Sequence, residues 1–116
     1  MPVIVQKSIS NNISLSIWSI EESLDFFLSN LRLTKNCEQR LDKLKSDEMK
    51  KQFLAVRKLI QLNGISLDSL SYSSEGIPFL NTEKNISISH TEGFSAIAIS
   101  PKPVGIDIQD FRDKIL

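Results

Sequence analysis

Apolar and serine positions alternate along several parts of the chain. Isoleucine or leucine alternates with serine over residues 13–17 and again over residues 86–89. Because successive side chains of a strand point to opposite faces, this period of two predicts strands with one buried face. Apolar segments over residues 94–100 and 104–108 predict two further strands, and residues 70–72 predict a short one. Glycine or proline turns separate the last three long strands, which predicts an antiparallel meander.

A helix is expected after the first of these strands. Ser19, followed three residues later by Glu22, has the form of a capping box and predicts a helix that begins next to Ser19. The apolar residues that follow recur at helical spacings, and they are Leu24, Phe27, Leu28 and Leu31.

A longer helical segment is predicted over residues 36–62. Asn36 with Gln39 offers a second capping box at its start. Ser46 and the aspartate after it favour helix ends over helix interiors, so we expect them to divide the segment into two helices. Gly64 is expected to end the segment, at the position where a left-handed backbone conformation is common.

The order of strands, then helices, then strands predicts an α+β fold rather than alternating parallel units. We expect an antiparallel sheet with packed helices, in one domain over residues 1–116. With 41% hydrophobic residues, the composition is that of an ordinary globular domain.

Composition also narrows the classes of partner. Lys+Arg and Asp+Glu each number 14, so the formal net charge is zero and bulk charge favours neither nucleic acid nor a membrane surface. Any anion would have to bind to a few placed groups. The lone Cys37 excludes an internal disulfide and fits a reducing compartment. We see no secretory signal and no apolar run near the roughly 20 residues of a membrane span, so we expect a cytoplasmic protein.

Candidate binding residues lie in two of the predicted strands. His90, the only histidine, lies between Ser89 and Thr91, so several donors for phosphate oxygens meet at one strand end. By parity His90 shares the face of the preceding isoleucines, and Ser89 points to the other face unless the strand twists or bulges. Asp107 interrupts an apolar strand, with Gln109 two residues later on the same face. A carboxylate with a neutral oxygen donor suits magnesium.

Each of these residues also has a structural interpretation. A lone histidine is more often a hydrogen-bonding residue of the fold than a ligand-binding one. Asp107 fits a salt bridge or a turn carboxylate as well as a metal site. Arg57 interrupts a helical apolar stripe, and the more common explanation is a solvated charge whose stem covers the core. The residues alone leave these alternatives open.

Four segments together resemble a known family. They read Phe-Leu-Ala-Val-Arg at 53–57, Gly-Ile-Pro-Phe-Leu at 76–80, Asn-Ile-Ser-Ile-Ser-His-Thr at 85–91 and Val-Gly-Ile-Asp-Ile-Gln at 104–109. In order and rough spacing they resemble phosphopantetheinyl transferases of the surfactin-synthetase-activating type. The resemblance implies the N-terminal half of that family's pseudo-twofold fold.

The resemblance implies a reaction and a site. Enzymes of this family transfer the phosphopantetheine arm of coenzyme A to a serine of an acyl- or peptidyl-carrier protein. At the matching positions, His90 with Ser89 would hold the 3′-phosphate of coenzyme A, and Arg57 would help to bind its nucleotide end. Asp107 would be the first magnesium ligand, with Gln109 beside it, and the metal would bridge to the pyrophosphate.

The chain departs from the family's pattern at three points. Ile77 stands where the family's turn usually has a lysine, and Gln109 stands where a glutamate is frequent. The family's third motif, Trp/Phe-x-x-Lys-Glu-Ala-x-x-Lys, does not occur in the 116 residues. That motif supplies another metal carboxylate, the expected base for the carrier serine and a phosphate-binding lysine. We therefore expect a truncated N-terminal half that is inactive, or nearly so, as a transferase by itself.

Two alternatives stand beside a transferase half. The chain could retain only weak coenzyme A binding, or it could be a degenerate interaction domain that keeps the fold without the reaction. A half-fold also exposes the face that its second half would cover, which predicts self-association.

Overall fold

The structure, a computed structural model, describes residues 3–10 and 13–101, with side chains from residue 13 onward. A short 3-10 helix at Leu67–Ser69 precedes the third strand. The other elements, in chain order, are β1 (Val3–Ser10), β2 (Ile13–Ser19), α1 (Leu24–Asn30), α2 (Lys35–Asp42), α3 (Asp47–Leu62), β3 (Leu70–Tyr72), β4 (Pro78–Leu80), β5 (Asn85–Thr91) and β6 (Phe94–Ser100).

A four-stranded antiparallel sheet, ordered β1-β2-β6-β5, forms one layer of the fold. β5 and β6 are joined by the turn at residues 92–93 and pair in an unbroken register, from Asn85 opposite Ser100 to Thr91 opposite Phe94. β2 pairs with β6, so two strands from opposite ends of the described chain are neighbours in the sheet. β3 and β4 form a separate antiparallel hairpin.

Each helix begins at a serine or threonine N-cap. The side-chain oxygens of Ser23, Thr34 and Ser46 accept hydrogen bonds from the backbone N–H three residues further on, at 3.1–3.2 Å. Each bond satisfies one of the donors that a helix start leaves unpaired. The predicted division of residues 36–62 at Ser46 is confirmed, because α3 begins directly after this residue.

The two predicted capping boxes are wrong. Ser19 is the last residue of β2, and the Glu22 carboxylate accepts the indole N–H of Trp18 at 3.0 Å instead of capping a helix. α1 therefore begins further along the chain. Asn36 already lies in the first turn of α2, because the hydroxyl of Thr34 caps that helix.

α3 ends in the paired hydrogen bonds of a Schellman motif. The Gly64 N–H donates to the Gln61 carbonyl at 2.9 Å, and the Ile65 N–H donates to the Ile60 carbonyl at 3.2 Å. Gly64 has a φ of 77°, a conformation that glycine adopts without the steric penalty of a side chain. The predicted role of Gly64 as the helix terminator is confirmed.

α3 packs across one face of the sheet and supplies much of the core. Its Leu54, Leu59 and Ile60 are completely buried, together with Trp18 of β2 and Ile97 of β6. The isoleucines of β5 pack into the same core between the sheet and α3, as the Ile/Ser alternation predicts.

Two buried serines fix α3 on the sheet. The Ser95 hydroxyl donates to the Gln52 carbonyl at 3.0 Å, and the Ser16 hydroxyl oxygen accepts from Nδ2 of Asn63 at 3.1 Å. Both serines are completely buried, and these bonds satisfy polar groups that burial would otherwise penalise. The two contacts lie near opposite ends of α3, so they define how the helix is placed on the strands.

The described elements confirm the predicted α+β class, with three helices packed on small antiparallel sheets. Within residues 3–10 and 13–101, no helix is long and apolar enough to cross a membrane. The predicted strand over residues 104–108, which would complete the meander, lies outside the described residues.

Candidate functional site

Arg57 of α3 is a buried cation, with only 2% of its surface exposed. Its guanidinium carbon lies 3.5 Å from the centroid of the Phe53 ring, one helical turn earlier, in a cation–π contact. Nη2 donates to the hydroxyl of Tyr72 on β3, and Nη1 lies 3.5 Å from the Phe53 carbonyl oxygen. The interpretation of Arg57 as a solvated helix charge is therefore wrong.

The buried guanidinium of Arg57 has unused hydrogen-bonding capacity. Its acceptors in the described part of the chain are a carbonyl and a hydroxyl, which are both neutral. The Nε atom is buried and has no hydrogen-bond partner there. A guanidinium carries five N–H donors, and a buried charge is costly unless an opposite charge compensates it. This environment favours an anion next to Arg57.

A second arginine stacks on the same tyrosine. Arg40 of α2 has its guanidinium carbon 3.5 Å from the centroid of the Tyr72 ring, while that of Arg57 is 5.7 Å from the same centroid. One tyrosine thus contacts cations from two helices. Sequence reasoning assigned no role to Arg40 or Tyr72, because a contact between α2 and β3 has no local pattern in the sequence.

His90 lies near the end of β5, on the sheet face that packs against α3. It is exposed, but the backbone that directly follows it is held by α3. Nε2 of Gln52 donates to the Thr91 carbonyl at 2.8 Å, and the Glu48 carboxylate accepts the N–H of the second residue of the β5–β6 turn at 3.1 Å. These bonds attach the strand end that carries His90 to the first turns of α3, and the same helix carries Arg57.

Arg57 and His90 line one cleft between α3, β5 and the β3–β4 hairpin. Its volume is about 270 Å³, and an adjoining cleft of about 390 Å³ shares the rings of Phe53 and Tyr72 with it. Each volume is close to the lower end of the roughly 300–1,000 Å³ typical of small-molecule sites. The first cleft is otherwise mainly apolar, and its apolar lining includes Leu44, Met49, Val56, Pro78 and Ile88.

The charged side chains among the described lining residues of the two clefts are all cationic. The adjoining cleft adds Arg40 and Lys43, and neither cleft has an aspartate or glutamate among its described lining residues. This is a local concentration of positive charge on a chain whose formal net charge is zero. An arginine guanidinium binds phosphate groups through paired hydrogen bonds, and it also stacks on flat rings. The site is therefore suited to a ligand that carries both phosphate groups and a flat ring.

Ser89 does not join His90 in this cleft. It lies opposite Ala96 in the unbroken β5–β6 register, so its side chain belongs to the sheet face of Ala96 and Ala98. His90 lies opposite Ser95 on the face towards α3. Of the three coenzyme A-binding residues that the resemblance implies, the structure unites the side chains of two, Arg57 and His90.

The predicted magnesium ligands, Asp107 and Gln109, lie outside the described residues. Within the part that the structure describes, no group of three or more His, Cys, Asp or Glu side chains could hold a metal ion. The magnesium prediction therefore rests on the sequence alone.

A larger cavity, of about 460 Å³, lies at the opposite end of the sheet from His90. Asn63, Lys84 and Ser100 are among its lining residues, and it borders Pro101, the last described residue. The smaller cleft is the better candidate for the functional site, because among the cavities of the described residues it is the one in which a buried cation with an unpartnered donor meets a histidine.

No protein-family model matches the sequence, and a search of curated proteins also finds no match. The geometry of the cleft therefore carries the functional conclusion.

Proposed function

We propose that this chain is a coenzyme A-binding unit of the phosphopantetheinyl-transferase type, with the N-terminal half-fold of that family. The observation that carries the proposal is the cleft in which the buried Arg57, with its unpartnered Nε, lies near His90. The resemblance selects these two residues from sequence motifs, whereas the cleft arises from tertiary packing. Two different kinds of observation therefore support the same pair.

The chemistry of coenzyme A suits the cleft. Its nucleotide end carries a 3′-phosphate and a pyrophosphate on an adenosine, so it combines several anionic groups with a flat base. Arg57 and His90 are the proposed donors to the 3′-phosphate, with charge-assisted hydrogen bonds. Arg40 and Lys43 of the adjoining cleft attract the remaining phosphates.

The resemblance extends the proposal to group transfer. In that scheme the acceptor is a serine of a carrier protein, and Asp107 with Gln109 would hold magnesium. A bound magnesium would neutralise the pyrophosphate oxygens during phosphoryl-type transfer. The cleft would then position the donor, because such reactions depend chiefly on placing and neutralising the phosphate groups.

Titration calorimetry with coenzyme A and with dephospho-coenzyme A, which lacks the 3′-phosphate, tests the binding proposal. A hydrogen bond to a charged group contributes about 1.5–3 kcal/mol, so the chain should prefer coenzyme A by roughly tenfold or more. His90→Ala should weaken coenzyme A binding and reduce that preference. Lys84→Ala is the matched control, because it removes an exposed cation that lines the other cavity. Equal affinity for the two ligands, or equal losses in the two variants, would contradict the proposal.

A second candidate is a binding or interaction domain without catalysis. The turn between β3 and β4 presents Ile77, which is 58% exposed, at the position where the family usually has a lysine. An apolar side chain there supplies no charge to a phosphate. An assay with coenzyme A, magnesium and an apo-carrier protein would overturn this second candidate if the carrier protein became modified. Coenzyme A binding without modification fits both candidates, because we expect the chain to be inactive as a transferase by itself. Failure to bind coenzyme A would leave only the interaction domain.

A further inference from the structure

Tyr72 connects the two arginines of the site. Its hydroxyl accepts a hydrogen bond from Nη2 of Arg57, and its ring lies under the guanidinium of Arg40. We propose that Tyr72 is a positioning residue, which fixes the orientation of the Arg57 guanidinium for binding the phosphate of a ligand. The consequence for coenzyme A rests on the proposed function, whereas the orientation of Arg57 does not.

Stacking on Phe53 cannot orient Arg57 by itself. A ring 3.5 Å from the guanidinium carbon restricts the plane in which the guanidinium lies. It does not fix rotation about the Cζ–Nε bond, because a half-turn about that bond exchanges Nη1 and Nη2 and returns the planar guanidinium to the same plane. A directed hydrogen bond is needed to stop that rotation.

Tyr72 supplies that directed bond. The other acceptor, the Phe53 carbonyl oxygen, lies 3.5 Å from Nη1, which is at the limit of a hydrogen bond and therefore weak. The Tyr72 hydroxyl accepts directly from Nη2, so it determines which guanidinium edge points away from the hairpin. The Nε atom has no partner in the described part of the chain, so it contributes nothing to this orientation.

Arg40 holds the tyrosine in turn. Its guanidinium carbon is 3.5 Å from the Tyr72 ring centroid, and this contact restricts the ring that carries the hydroxyl. A residue on α2 therefore influences a residue on α3 through a side chain on β3. Such a chain of contacts orders Arg57 before a ligand arrives, and ordering a long side chain in advance improves affinity by up to about tenfold.

Tyr72→Phe tests the positioning role, because it removes the hydroxyl and keeps the ring for Arg40. Ser71→Ala is the matched control: it deletes a hydroxyl on the neighbouring strand residue, which accepts a hydrogen bond from Asn81. In the ligand-free protein, the Nη signals of Arg57 in ¹⁵N nuclear magnetic resonance report rotation of the guanidinium. We expect resolved Nη signals in the wild type and in Ser71→Ala, and averaged signals in Tyr72→Phe.

The affinity readout separates positioning from a general effect on folding. Tyr72→Phe should keep the tryptophan fluorescence of the folded protein. It should bind coenzyme A about five- to tenfold more weakly than the wild type, and its preference for coenzyme A over dephospho-coenzyme A should be smaller. Averaged Nη signals in the wild type, or unchanged signals in Tyr72→Phe, would overturn the proposal. If the wild type binds no coenzyme A, the proposed function fails, but the ligand-free signals still decide the role of Tyr72.

Discussion

Replacing Arg57 with methionine should separate the stability of the fold from the binding of an anion. Methionine keeps an unbranched apolar stem in the same space and removes the guanidinium. The variant loses the cation–π contact with Phe53 and the hydrogen bond to Tyr72, each worth about 1 kcal/mol. It also removes a buried charge with an unpartnered Nε, which relieves a penalty of about 1–3 kcal/mol. The terms nearly cancel, so the free energy of unfolding should change by no more than about 1 kcal/mol.

The chain offers a convenient assay for this prediction. Trp18 is the only tryptophan and is 1% exposed, so its fluorescence in a denaturant titration reports loss of the core. Leu59→Ala on the same helix is the control for ordinary core damage, because Leu59 is completely buried and its truncation should cost about 2–5 kcal/mol.

The two variants should rank differently in binding than in stability. Arg57→Met should weaken coenzyme A binding by about 10–100-fold, because it removes charge-assisted hydrogen bonds to the phosphate. Folded Leu59→Ala should bind with nearly the wild-type affinity. The reasoning would be refuted if Arg57→Met were as destabilising as Leu59→Ala, or if it bound coenzyme A as tightly as the wild type does.

Three further substitutions test separate parts of the structure. Ser46→Ala removes the N-cap of α3 and should lower the free energy of unfolding by about 1 kcal/mol, whereas the same change at the exposed Ser74 should have little effect; equal effects would contradict the cap. Gly64→Ala should cost about 1 kcal/mol through its positive φ alone, because no atom of the described residues beyond the chain neighbours of Gly64 lies within 4 Å of the added methyl group; an unchanged denaturation midpoint would argue against the Schellman motif. In calorimetry, Ser89→Ala should change the affinity for coenzyme A by less than about threefold and His90→Ala by about tenfold or more, because the two side chains lie on opposite faces of β5; the reverse order would place the ligand on the other face.

Local chemistry explains most of what the sequence predicted correctly. Ser46 and Gly64 mark the ends of α3 because a cap and a left-handed residue depend only on a few neighbouring backbone groups. The prediction at Ser19 failed because the Glu22 carboxylate has a competing partner, the indole of Trp18. The sequence shows a serine followed three residues later by a glutamate in either case, whether the glutamate caps a helix or accepts a hydrogen bond from another side chain.

The arrangement of the sheet needed information that no local pattern contains. The Ile/Ser alternation predicted which residues of β5 face the core, and the unbroken register confirms that interpretation. The pairing of β2 with β6 is different, because it joins segments from opposite ends of the described chain. Periodicity identified both strands and, in β5, the buried face. In β2 it did not identify one buried face, because Leu15, Ser16 and Ile17 are all buried. In neither strand does periodicity choose the neighbouring strand.

The candidate site was predictable in part. Arg57 and His90 stood out through the resemblance, and the structure places both in one cleft. The burial of Arg57 was missed, because helical spacing cannot tell a buried cation from one on the helix surface. The stack of Arg40 on Tyr72 was missed because it requires α2 to pack next to β3.

The most direct test of the central claim uses side chains that occur once in the chain. His90 is the only histidine and Tyr72 the only tyrosine, so each gives a single set of aromatic side-chain signals in nuclear magnetic resonance. On titration with coenzyme A, we expect both sets to shift with the same dissociation constant, and to shift less with dephospho-coenzyme A at equal concentration. The account would be contradicted if coenzyme A left both sets unchanged, or if dephospho-coenzyme A shifted them equally.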